Sequence, residues 1–222
     1  MPICVFDIAE DGTTTVPQDN NLTGGGVFRW WHFDLSDPLL EAWTREHLHS
    51  IPGGALIQPK TRPRCDRFEG GLILNLRGIN LNAGQDADEM VSVRIYADED
   101  VLITVRRNKV FAIDAIRRNA EAQQAPVSTA KFLETLIEGL TDRVDQHVAT
   151  IDARTDHYEI ALEDKNTPMP RDLPGNRRSV IRLRRYLEPQ RAALSELATL
   201  GGNCQPGFAR TCKPGRDCGG RT

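Results

Sequence analysis

A row of carboxylates marks one side of a single predicted helix. Glu134, Glu138, Asp142, Asp145, Asp152, Asp156, Glu159 and Glu163 recur at steps of three, four and seven residues, which keeps them on one stripe. Carboxylate oxygens are the ligands that hard divalent cations take. His147 and His157 lie on the same helix and add candidate nitrogen ligands. The candidate metal ligands are therefore Asp145, His147, Asp152, Asp156, His157 and Glu159. A loose ladder of this kind concentrates Mg2+ or Zn2+ electrostatically rather than gripping one ion. The plainer account is a solvated helix face with incidental histidines.

A second polar string, Asn75, Arg77, Asn80 and Asn82, follows a strand-like run. It suits an anion or partner site, or else turn-formers and strand-face hydrogen bonders that hold the loop leading into Met90. Trp30, Trp31 and Trp43 offer aromatic stacking, and packing in the core is the simpler use for them. Cys204, Cys212 and Cys218 crowd the end of the chain, but their spacing is not the C-x2-4-C of a structural zinc site and no histidine is near. His32, His47 and His49 have no paired cysteine, and no G-x-S-x-G, P-loop or H-E-x-x-H string is present. The sequence reads as that of a non-enzyme, with no cofactor beyond a transported or regulatory Zn2+ or Mg2+.

Composition bounds the positioning scaffold. At 222 residues the chain suffices for one sizeable core, or for one domain with an extended arm. A hydrophobic content of 39% and a charged content of 27% predict a surface-rich, soluble protein. No window approaches the ~20 apolar residues of a spanning helix. The start, MPICVFDIAEDG, lacks the basic region of a secretory signal. A net charge of −3 does not favour nucleic acid. Five cysteines, an odd number without an export signal, predict a reducing, cytosolic setting.

The elements follow from periodicity. Residues 3–8 and 27–33 read as strands, and Asp11 to Thr15 as a turn into loop. Asp37 as N-cap and Pro38 at the first position start a helix to about Leu48, which Ile51-Pro52-Gly53-Gly54 stops. Leu72, Leu74 and Leu76 alternate with Ile73, Asn75 and Arg77 as a half-buried strand. Val91, Val93 and Ile95 repeat the pattern, as do Val101, Ile103 and Val105 after the hairpin connection at Ala97 to Asp100. Val110 to about Ala122 is an amphipathic helix with Val110, Ile113 and Ile116 on one face.

From Ser128 the pattern becomes one long helix to about Asp164. Leu133, Ile137, Leu140, Val144, Val148, Ile151, Tyr158 and Leu162 form its apolar side, and its length is roughly 54 Å at 1.5 Å per residue. The prolines of Asn166 to Pro170 end it. A basic segment follows, with Arg171, Arg177, Arg178, Arg182, Arg184, Arg185 and Arg191, and a seam of Val180, Leu183, Leu187, Leu194 and Leu197. These two segments predict an antiparallel hairpin with opposite charges facing across it, kinked at Pro189. After Leu200 the Gly- and Pro-rich sequence has no periodicity and reads as disordered.

The block TRPRCDRFEGGLILNLRGINLNAGQDADEMVSVRIYADEDVLITVRR, residues 61–107, resembles the N-terminal cytoplasmic domain of the CorA superfamily of divalent-cation transporters, and most closely its ZntB-type zinc transporter branch. The likeness is strongest at Thr61–Arg64, Gly70–Asn82, Met90–Arg94 and Arg182–Arg191, and extends over about residues 1–199. It implies that the helix with Leu183-Arg184-Arg185-Tyr186-Leu187 is a stalk leading to a pore segment that this chain lacks. The break at Leu200 is then a reading-frame change first, or else a designed end or a natural tail.

Three parts are expected: a mixed α/β domain over 1–126, with a central mostly antiparallel sheet flanked by helices; a long helical hairpin over 127–199; and a tail over 200–222. The resemblance further implies the funnel of a homopentameric transporter at the cytoplasmic face of the inner membrane, reaching that membrane only through the missing segment. Zn2+ is the expected ion, ahead of Mg2+, Co2+ and Ni2+, and the role is assembly and ion-dependent gating. The alternative is a freestanding metal-responsive regulatory or scaffold protein.

Overall fold

Trp30 and Trp31 are consecutive in one strand, so their side chains leave on opposite faces, and both are buried, at 0% and 1% exposure. The sheet must therefore be covered on both sides. A computed structural model describes residues 1–163 and 170–202. The strands are β1 (Cys4–Ile8), β2 (Thr14–Thr15), β3 (Phe28–Asp34), β4 (Arg64–Phe68), β5 (Gly71–Gly78), β6 (Val91–Ala97) and β7 (Val101–Arg106). They form one sheet in the order β2-β1-β3-β7-β6-β5-β4. Only β3 with β7 is parallel, in the register Trp31 opposite Ile103; the other pairings are antiparallel. This is the mostly antiparallel mixed sheet that the alternation predicts.

Five helices cover it. Trp30 joins Phe6, Leu74, Leu76 and Val93 beneath α3 (Phe111–Glu121) and α4 (Thr129–Glu163). The Phe132 ring meets Trp30 edge-on at 4.7 Å. On the far face Trp31, Phe33, Ile103 and Val105 pack against Leu40 of α1 (Leu40–His47) and Leu56 of α2 (Ser50–Ile57). Trp43 lies 4.9 Å from Trp31. All three tryptophans thus serve packing. His32 is enclosed between the layers, with its Nδ1 2.8 Å from Thr104 Oγ1.

Three local expectations change. Ile51-Pro52-Gly53-Gly54 does not stop a helix; it lies inside α2. His49 Nδ1 accepts the Ile51 N–H at 3.3 Å, and Pro52 falls in the first turn, where no N–H is required. A Cβ at Gly53 would stand 3.4 Å from the Thr44 carbonyl oxygen, at ordinary contact distance, so the two short helices pack closely here. Asp37 does cap a turn, accepting the Leu39 N–H at 3.0 Å, but α1 begins only at Leu40. The strand expected to be half-buried is covered on both faces, with Ile73 at 3% and Asn75 at 1% exposure.

The two long helices hold a third small core. Ser128 Oγ caps α4 by accepting the Lys131 N–H at 3.1 Å. α5 (Leu173–Gly202) returns antiparallel: Tyr158 donates to Asp172, Asn176 donates to Thr155, and Leu183 shares a cluster with Val144 and Ile151. The seam is not filled by the helices alone, because Ile79 and Met90 from the β5–β6 connection insert into it. That wedge explains a correction: among the described residues no carboxylate of α4 pairs with an arginine of α5, and Arg182 reaches instead to Asp86 and Asp88 of the wedge. Val180 and Leu162, both expected on apolar seams, are 44% and 49% exposed. The helix runs on through Pro189, which has no N–H to offer the Arg185 carbonyl one turn earlier. The expected linker after Asp164 and the expected tail with Cys204, Cys212 and Cys218 lie outside the described residues.

Candidate functional site

The β5–β6 connection is where the sheet domain meets both long helices. Its shape comes from local hydrogen bonds: Asn80 N–H donates to Ala87 O at 3.1 Å, and Asn82 Nδ2 donates to Asn80 Oδ1 at 2.8 Å and to Lys109 O at 3.1 Å. Asn80 and Asn82 are thus loop-holding hydrogen bonders. With the loop fixed, Asp88 is 7% exposed and Arg182 Nη1 lies 3.2 Å from its carboxylate and 3.3 Å from that of Asp86. Asp88 holds the Arg182 guanidinium above the usual arginine range, mainly through their hydrogen bond. A cavity of about 340 Å³ opens here, lined by Asp86, Asp88, Arg154, Asp172, Asn176 and Arg182 among others.

Of the six candidate metal ligands, only His147 is partly enclosed. Its Nε2 is buried without a hydrogen-bond partner among the described residues. Burial lowers its pKa, the Asp88 carboxylate opposes that shift, and Arg154 adds to it. Asp145, Asp152, Asp156, His157 and Glu159 all lie exposed along α4. Among the described residues of this one chain, no three His, Cys, Asp or Glu side chains come together as an ion-holding group. The carboxylates of the stripe thus lie exposed along α4 without converging on one point.

Helix α5 is anchored by a side chain that sequence reasoning passed over. β4 pairs with β5 only as far as Asn75. At the next outward position, Gln190 of α5 takes the missing strand's place: its Oε1 accepts the Arg77 N–H at 2.6 Å and its Nε2 donates to Arg77 O at 3.1 Å. Gln190 is 6% exposed. Arg77 also lays its guanidinium over the Tyr186 ring, 4.5 Å from its centre. Asp86 and Asp88 were missed as well, although an Asp-Ala-Asp-Glu run between two strands was a visible charge signal for the arginines that follow the second proline cluster.

Comparison with known proteins decides the family. The family model described as "CorA-like Mg2+ transporter protein" matches residues 25–208. The chain belongs to the CorA-like family. The match runs past Leu200, beyond the end that the sequence resemblance suggested. The chain is 34% identical over 174 residues to the divalent cation transporter CmaX of Pseudomonas aeruginosa, covering 76% of this chain and 52% of that protein. It is 31% identical over 172 residues to the zinc transport protein ZntB of Pectobacterium atrosepticum, again covering 76% and 52%. It thus spans about half the length of these curated relatives.

Solved structures agree on the fold. The full-length CmaX structure superposes with a TM-score of 0.80 at 30% identity, over 89% of this chain and 63% of that one. The ZntB cytoplasmic domain from Vibrio parahaemolyticus gives a TM-score of 0.79 at 23% identity, over 91% and 81%. Among the described residues of this CorA-like chain no helix is long and apolar enough to cross a membrane.

Proposed function

We propose that this chain forms the cytoplasmic portion of a divalent-cation transporter of the ZntB and CmaX kind, that it assembles as a homopentamer, and that cation occupancy of its acidic helix faces biases gating. The observation that carries the reading is the superposition on full-length CmaX, in which nearly all of this chain aligns to part of the longer transporter. The helix geometry supports it: the carboxylates of the stripe are exposed along α4, and a row of like charges raises local cation concentration. Zn2+ is the proposed ion, with Mg2+ behind it, since His147 and His157 lie on the same helix as the carboxylates and imidazole suits zinc. A gating role requires only that the ion bind one arrangement better than another.

Equilibrium dialysis tests the cation part of this reading. The wild-type chain should take up Zn2+ and Mg2+ above the dialysate level at low ionic strength. The variant D145N/D152N/D156N/E159Q should lose most of that excess. Equal uptake by both proteins would remove the acidic face from the mechanism.

A further inference from the structure

A second cavity lies away from the acidic face. It lies on the side of the sheet opposite α4, between the α2–β4 segment, strand β6 and α5, and has a volume of about 730 Å³. Lys60 and Arg62 line it from the segment, Arg64 from the start of β4, Arg77 and Arg94 from β5 and β6, and Arg107 and Arg185 from β7's exit and α5. Among the described residues no Asp or Glu lines it. Among the described residues only Arg64 of these seven has a carboxylate partner, Asp66 at 3.1 Å.

Two of the cations are held in an unusual state. Arg94 is 2% exposed, and among the described residues its guanidinium meets only neutral oxygens: Gln58 O at 2.8 and 3.0 Å, Pro59 O at 3.3 Å and Ser92 Oγ at 3.1 Å. Arg77 is half-buried and donates to Thr61 O at 2.6 Å and Met90 O at 3.0 Å. A buried charge is normally paired. Here burial and then the neighbouring guanidiniums of Arg77 and Arg107 push Arg94 down to about 10, which still leaves it charged at neutral pH. Thr61 lines the cavity at 8% exposure, and among the described residues neither its buried hydroxyl nor Arg77 Nε has a partner. Asn75 stands in register between Arg64 and Arg94, and neither end of its amide is satisfied among the described residues.

We infer that this cleft is a binding site for a small, multiply charged phosphate-type oxyanion, of inorganic diphosphate size or larger. Uncompensated guanidiniums converging on one space suit an acceptor-rich anion with several oxygens. A concave basic wall over a low-dielectric floor focuses the field on it. The volume exceeds what a monatomic ion fills. The site is separate from the acidic face, so its occupancy does not depend on the cation reading.

The cleft also touches both parts of the fold. Arg185 and Tyr186 belong to α5, one turn before Gln190, while the other walls belong to the sheet domain. An anion seated there bridges the stalk helix to the sheet and tightens their contact.

Isothermal titration of the full chain with inorganic pyrophosphate, in metal-free buffer at fixed ionic strength, tests the inference. Saturable binding is expected, with affinity at least tenfold weaker in R62E/R107E, whose exposed side chains make no hydrogen bonds among the described residues. Sodium chloride added in place of other salt at the same ionic strength should not compete. A second arm measures co-sedimentation with phosphatidylcholine vesicles containing phosphatidic acid. No saturable pyrophosphate binding, equal binding by R62E/R107E of unchanged circular dichroism, competition by chloride alone, or binding confined to vesicles would each overturn it.

Discussion

Gln190 completes the hydrogen bonding of Arg77 across 113 residues of sequence, with its amide giving and taking one bond each to the backbone on the side of β5 that β4 does not reach. A side-chain amide has the same donor and acceptor spacing as a peptide group, so it can end a sheet edge without another strand. The bond pair fixes α5 against β5 at the level of the cleft and the third core.

Replacing Gln190 with Leu should therefore cost more than the volume change suggests. Leaving a buried donor or acceptor unmade costs about 1–3 kcal/mol each, and partial solvent access at Arg77 puts the total near ~2 kcal/mol. Urea unfolding should show that loss, and the Arg77 amide should lose protection from hydrogen exchange. Q190E is the informative companion: it keeps an acceptor for the Arg77 N–H and loses the donor for Arg77 O.

His32 links stability to pH. It is 2% exposed, and burial pulls its pKa down to about 3, so it is neutral in the fold at ordinary pH. The unfolded chain protonates it near 6.5, the ordinary histidine value. Between those two values the unfolded state holds the extra proton, so stability is full above pH 6.5 and falls as pH drops toward 3. The slope is about 1.4 kcal/mol per pH unit for one proton. Urea midpoints measured from pH 7 to 4 should fall less steeply in H32Q than in wild type.

Arg29 and Asp7 form a buried pair between β3 and β1. Arg29 Nε and Nη2 lie 2.5 and 2.8 Å from the two Asp7 oxygens, with side-chain exposures of 1% and 13%. R29A strands the carboxylate and should destabilise by roughly 3–5 kcal/mol. The double variant R29M/D7L should recover only part of that loss: it removes both charges of the pair, but it leaves Asp19 and the Asn21 carbonyl, 2.7 and 2.6 Å from Arg29 Nη1, without their partner. A thermal unfolding cycle over the four proteins checks both statements.

The regular parts of this fold were legible because period-2 and period-3.6 patterns decide them locally. Val91, Val93 and Ile95 announce β6, and Leu133, Leu140 and Val144 announce the buried side of α4, although Phe132 and Leu136, also buried, were not among the residues so read. What stayed hidden depends on contacts that sequence spacing does not encode. α2 was hidden by Pro52, Gly53 and Gly54, whose breaker tendency is overridden by a capping histidine and close packing on α1. β4 carries mostly polar residues and is recognisable only by its pairing with β5. The opposite charges of the long helices suggested partners for one another, yet Ile79 and Met90 intervene and Arg182 turns to Asp88. The acidic face was visible in sequence; the basic cleft was not, because its cations come from five separate segments.

The claim that this chain is the assembling, cation-responsive part of a transporter is tested most directly by its mass in solution. Sedimentation velocity of the full chain with Zn2+, and again after chelation, is the measurement. The account predicts an assembly of about five times the 24.8 kDa chain mass with Zn2+ present, and a changed sedimentation coefficient on chelation. A species of single-chain mass under both conditions would contradict it.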